Sequence, residues 1–249
     1  MQEAELQTFR STLGERHPST LVAKNNFGVT LRCHGSLLLS RELLESALRD
    51  GRHVFGKKHS KTLTVMGNLA LTLFEAGDLA RALKLQKKIL KWSCQILGEE
   101  HPNTLAAMVN LSTTLCALED ESGARELDEK VLEICQHNLG DCHPATLAAT
   151  GSLATTINNQ AVALRNAGHL ADAEPLQFEA MKLMVKACGD DSLDAACTYS
   201  AAGALFRLQG DFEQAITYFS KALAIRTRKL GPNADLTLLV KARLHEMLH

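Results

Sequence analysis

Four histidines recur along this chain, His17, His59, His101 and His143, each 42 residues after the last. Imidazole binds metals and moves protons near neutral pH, so such a quartet raises the prospect of a metal centre. The spacing argues against one. If each interval is one unit of a stacked array, successive histidines lie two helices apart, on the order of 15–20 Å for interaxial distances of ~8–10 Å. A zinc ion needs its ligands within ~2.3 Å. Three of the four precede a proline (Pro18, Pro102, Pro144) and read as turn residues. Cys142 beside His143 sets a thiol next to a base, but neighbours in one turn rarely align for nucleophilic activation. No Gly-rich phosphate loop, Ser-His-Asp set or facing carboxylate pair stands out; Glu99-Glu100 and Asp190-Asp191 read as loop charges. The expectation is a non-enzymatic chain with no catalytic residue, metal or cofactor.

Two other side-chain sets recur in step. Asn26, Asn68, Asn110 and Asn159 share one repeat position, with Ala201 in the fifth copy. An amide offers donor and acceptor together, which suits an extended peptide with unpaired main chain; it can also bond the neighbouring helix. Six residues on, the position reads Arg32, Phe74, Cys116, Arg165 and Arg207. The guanidinium fork suits carboxylates, though an arginine near a helix end can instead be solvated or bond the last carbonyls. Between them lie Val29, Leu71, Thr113, Val162 and Ala204, apolar or small, which leaves room for a ligand's side chains.

The elements that position these residues follow from the repeat itself. LGERHPSTL from Leu13 returns as FGKKHSKTL from Phe55, LGEEHPNTL from Leu97 and LGDCHPATL from Leu139, with degraded copies at Cys188 and Leu230. That period marks an array of structural repeats rather than an enzyme core. Within each copy, apolar residues follow helical spacing twice around a short break. In the second, Leu63, Met66, Leu69, Ala70 and Leu73 form one stripe, and Leu79, Ala82, Leu83, Leu85, Ile89 and Leu90 the next. Gly77 supplies the positive φ that ends the first helix, and Asp78 caps the second. A short residue follows each break, at Ser40, Ala82, Ala124, Ala173 and Ala215, where two helices cross closely. First helices are predicted near 18–34, 60–76, 102–118, 144–167 and 193–209, second helices near 36–54, 78–97, 120–139, 169–188 and 211–230. The third break departs, with Glu119-Asp120 in place of Gly-Asp. In the fourth copy Gly151–Ile157 is inserted, close to two helical turns, so it is expected to lengthen the helix to protrude at one edge rather than form a loop. Trp92 is expected to pack against the following repeat.

Composition narrows the class. Hydrophobic residues make up 45% and aromatics 4%, which suits close helix-on-helix packing, and a net charge of −1 gives no general pull toward nucleic acid or anionic membranes. No apolar run approaches the ~20 residues of a membrane span, and the N-terminus lacks a signal-peptide pattern. Seven cysteines with no Cys-x-x-Cys read as reduced, most of them small buried apolar residues. The expected setting is cytoplasmic.

The segment Asn68-Leu69-Ala70 … Gly77-Asp78 … Ala82, followed by Leu97-Gly98 and His101-Pro102, resembles tetratricopeptide repeats of the 42-residue, kinesin-light-chain-like kind. The likeness covers essentially the whole chain. It implies an all-α, right-handed superhelical solenoid of antiparallel helix pairs, whose first helices line a concave groove for extended peptides. The expected divisions of this single solenoid, 1–249, are a half-repeat at 1–14, repeats at 15–56, 57–98, 99–140, 141–189 and 190–231, and a terminal helix at 232–249. In proteins similar to kinesin light chain the repeated asparagine faces the groove and bonds the peptide main chain. The chain is thus expected to be a scaffold binding a protein or peptide with acidic and apolar residues, and neither nucleic acid nor membrane. A second reading makes it the sensor or regulatory segment of a larger NTPase or protease. The unpaired terminal helices suggest self-association under either.

Overall fold

The computed structural model describes residues 2–248, all in helices and short connections, with no strand among them. The helices are α1 (Gln2–Leu13), α2 (Pro18–Cys33), α3 (Leu37–Val54), α4 (Ser60–Glu75), α5 (Leu79–Leu97) and α6 (Pro102–Ala117). Then come α7 (Glu121–Leu139), α8 (Pro144–Asn166), α9 (Leu170–Cys188), α10 (Leu193–Gln209), α11 (Phe212–Leu230) and α12 (Asp235–Leu248). The paired stripes therefore become paired helices, within two residues of the predicted limits. None of the described helices is long and apolar enough to cross a membrane.

The repeated motif is a clasp between one hairpin and the next. Its glycine, for example Gly98 at φ 87°, ends the helix in a conformation that an L side chain resists. The histidine then caps the following helix. Nδ1 of His17, His59, His101 and His143 accepts a bond from the backbone N–H two residues on, at 3.1–3.2 Å. Proline fills the first turn of α2, α6 and α8, where its missing N–H costs nothing. The threonine hydroxyl reaches back: Thr104 Oγ1 donates to the Gly98 carbonyl at 2.7 Å, and Thr20 and Thr62 repeat the bond at 2.7 and 2.8 Å. Imidazole lies outside the usual N-cap set, so the cap was not legible in the sequence.

Ser40, Ala82, Ala124, Ala173 and Ala215 are all fully buried, as the close helix crossings require. Opposite them, sizes are matched. A Cβ on Gly28 would sit 2.7 Å from Leu44, and one on Gly203 2.9 Å from Phe219. Glu119 is the one described residue other than glycine with positive φ, at 61°, and takes the place glycine holds at the other breaks.

The chain divides into two compact units, 1–118 and 119–249. In the first, Leu44, Leu48, Met66, Leu69 and Leu73 from α3 and α4 form a core with Ala82. Trp92 and Phe74 pack onto it, so Trp92 meets the preceding helices α3 and α4. It lies three residues after Ile89 and seven after Leu85, on the side of α5 that already meets this cluster. Buried Lys24 joins Asp50 at 2.9 Å and Glu15 at 2.6 Å, tying α2 to α3 and to the preceding turn. In the second unit a core of α9–α12 side chains surrounds Phe219 and Tyr199. The seven-residue insertion does extend α8, to 23 residues in one helix. Leu153 and Ile157 bury against Ala180, Leu132 and Leu176 of the flanking helices.

Candidate functional site

In the first unit the recurring asparagines border real concavities. A cavity of about 310 Å³ opens between α4, α5 and α6. Asn68 and Leu71 enter from α4 and Asn110 from α6, one repeat apart, while Leu63, Ile89 and Ile96 supply apolar walls. Gly67 also lines it, and a Cβ there would meet nothing within 4 Å, so the missing side chain keeps the space open. At its wall lies Gln86 of α5, 4% exposed, whose amide oxygen is buried without a hydrogen-bond partner. An unmet acceptor of that kind costs roughly 1–3 kcal/mol. Asn26 borders two smaller hollows of about 220 Å³ with Val22 and Lys61.

The asparagines are not equivalent. Asn26, Asn110 and Asn159 are exposed, whereas Asn68 is half-buried and its Nδ2 donates to Asn25 Oδ1 at 2.8 Å. Asn68 therefore steadies the neighbouring first helix while lining the cavity. Val29, Leu71 and Val162 are half-buried and Thr113 exposed, leaving small apolar surface between the polar positions. Phe74 is drawn into the core cluster.

The arginines separate by partner. Arg32 is paired with Glu75, and Arg207 lies 3.6 Å from Glu246. Among the described residues Arg165 meets neutral oxygens only: Asn166 Oδ1 at 3.0 Å and the Ala201 carbonyl at 3.5 Å. Burial, and after it the charge of Arg243, push its guanidinium below the usual arginine value. Arg243 of α12 itself lies over the Phe219 ring, 5.9 Å from its centroid. A half-buried arginine beside a second cation invites a carboxylate. Arg243 falls 42 residues after Ala201, so in the terminal helix it holds the position of the recurring asparagines, a register signal that could have found it.

The histidine quartet is spent on helix caps, and the cysteines correct their expected burial. All seven are free; Cys135 alone is buried, its thiol pushed up by desolvation, and Cys33, Cys142, Cys188 and Cys197 are exposed. Cys33 and Cys188 are last residues of helices and Cys142 lies in a turn, where backbone geometry turns even apolar side chains to solvent.

A family model of the tetratricopeptide repeat matches residues 34–92, 61–137 and 152–228, together well over half of the chain. No curated protein matches. Among solved structures, a kinesin-light-chain-type protein of Podosopora anserina with nearly identical TPR-like repeats is 21% identical at a TM-score of 0.65, covering 86% of this chain and 98% of that one. BtubC (BKLC) from P. vanneervenii is 18% identical at 0.66, covering 94% and 91%. YrrB, described as a TPR protein with an unusual peptide-binding site, is 16% identical at 0.55, covering 97% and 100%. Repeats of this fold are generally non-catalytic scaffolds for protein interaction. Clasp, crossing and family match agree that this chain belongs to the tetratricopeptide repeat family.

Proposed function

We propose that the chain captures an extended peptide through its first helices, with an apolar side chain seated in the α4–α5–α6 cavity. The observation that carries this is the unpartnered Gln86 oxygen beside Gly67, flanked by Asn68 and Asn110. The cavity rewards an apolar side chain bearing one N–H or O–H donor, and the flanking amides suit the peptide main chain. In the second unit, Arg165 with Arg243 forms a station for a carboxylate, which favours acidic segments. Arg32 and Arg207 contribute less, since each already faces a glutamate.

Selection of a displayed random-peptide library on the native chain tests this. Enriched peptides should carry an apolar anchor near acidic residues, and Asn68→Ala with Asn110→Ala should weaken them about tenfold or more. Arg165→Glu should remove the acidic preference and leave the apolar anchor. Peptides that bind all three proteins equally would refute the groove.

A further inference from the structure

The second helices carry a charge pattern that peptide capture does not use. On α5, Lys84, Lys87, Lys88 and Lys91 are all exposed, and none forms an ion pair among the described residues. They fall three, four and seven residues apart, on one face of the helix. Beside them, between α3 and α5, runs a groove of about 300 Å³ floored by Leu48, Leu69 and Leu85 and rimmed by Arg49 and Arg52. The Arg52 Nε is buried there without a partner. Glu45 is the one carboxylate lining the groove, and Arg81 holds it at 2.5 Å.

The next second helix, α7, reverses the sign at the same repeat positions. Lys84, Lys87 and Lys91 correspond to Glu126, Glu129 and Glu133, each 42 residues later and each exposed. Of these, Glu129 is shared with Arg125 at 2.7 Å; Lys130 is the like-charged exception, matching Lys88. The imbalance extends to whole units. Residues 1–118 hold fifteen Lys and Arg against ten Asp and Glu, a net +5, and residues 119–249 hold twelve against eighteen, a net −6. A near-neutral chain is thus a pair of opposed charges.

We propose that the lysine face of α5 docks on the glutamate face of α7 from a second copy of this chain. Matching positions carry opposite charge at the same helical spacing, so the two faces are complementary along their length. Each copy offers both faces, so copies add head to tail unless the two contacts close on each other. The contact is mostly ionic and its rim is wet, which makes it weak and dependent on salt.

Sedimentation of the full chain over a wide concentration range tests it. The mean mass should rise with concentration at about 0.1 M salt and return to one chain at about 1 M, as the screening length falls from ~10 Å to ~3 Å. Lys84→Glu, Lys87→Glu and Lys91→Glu together should weaken association about tenfold or more, as should Glu126→Lys, Glu129→Lys and Glu133→Lys. Mixing the two reversed chains should restore association in mixed species, which misfolding of either would not do. Overturning results are a native chain at single-chain mass throughout, or a mixture that fails to pair although both variants melt like the native chain. Binding of a labelled RNA by the lysine face of a chain that stays monomeric would also overturn it.

Discussion

Gln86 in the first unit and Gln177 in the second occupy the same place in their repeats, yet one is satisfied and the other is not. Gln177 Nε2 donates to Asn158 Oδ1 at 3.0 Å and to the Thr198 carbonyl at 3.2 Å, joining α8 to α10 across its own helix. At the position of Asn158, the second repeat has Gly67. With glycine there the cavity stays open, and Gln86 meets no side chain from that position. In the third repeat the same slot holds Asp128, 1% exposed, which accepts from Thr156 at 2.6 Å and Ser152 at 3.2 Å. In the first and fifth it is Leu44 and Phe219, each against a glycine. A position that is filled or bonded in four repeats is therefore left with an unmet acceptor in one. Buried polarity marks function only where its partner is absent.

The strongest way to break this comparison is to remove the satisfied polar group. Asp128→Ala removes the acceptor shared by buried Thr156 and half-buried Ser152 and leaves a hole, and should cost about 2–4 kcal/mol in urea unfolding. Gln86→Leu at the equivalent slot removes an unmet acceptor, and should change stability by less than about 1 kcal/mol while abolishing selection of donor-bearing peptides. Equal costs at both positions would mean that Gln86 is structural after all.

A sharper test converts one unit into the other. Gly67→Asn should supply the missing amide, bond Gln86 and close the cavity. The helix gains by losing a glycine, so stability should rise by about 1 kcal/mol as peptide binding falls. Asn158→Gly should do the reverse in the second unit, loosening it by about 1–2 kcal/mol. A Gly67→Asn chain that still binds its peptides at native strength would place the ligand elsewhere.

How much of this could be read from the residues alone divides along the same line. Helix limits, crossing residues and the lengthened α8 follow from periodicity, because each copy repeats the same local rules. What the alignment of repeats concealed is what differs between copies in three dimensions. Arg32, Arg165 and Arg207 share a column, yet Glu75 and Glu246 quench two of them, and those glutamates lie on other helices. In the sequence Gly67 is one small residue among many in helical repeats; its meaning depends on Gln86, nineteen residues away across the hairpin. Pairings of that kind are set by packing, and a single column cannot display them.

Glu119 gives a third comparison, against the glycine breaks. Its φ of 61° carries the strain that Gly77 and Gly168 avoid at φ 79° and 86°. Glu119→Gly should stabilise the chain by about 0.5–1 kcal/mol, the strain relief less the added freedom of the unfolded chain, with no effect on peptide selection.

The smallest effect expected is electrostatic and sits at the clasp between α1 and α2. The hydrogen bond from buried Lys24 holds the Glu15 carboxyl below its ordinary value, against a smaller opposing push from desolvation. A carboxyl whose folded value is depressed contributes stability above its unfolded value, and loses it as pH falls through the folded one. The native chain should therefore lose stability below about pH 4.5, and Glu15→Gln should flatten part of that slope while leaving neutral-pH stability about 0.5 kcal/mol lower or less, since Glu15 is 58% exposed and water screens the pair. If Glu15→Gln and the native chain melt in parallel from pH 7 to pH 3, Asp50 alone neutralises Lys24, and the Glu15 contact adds nothing to the fold.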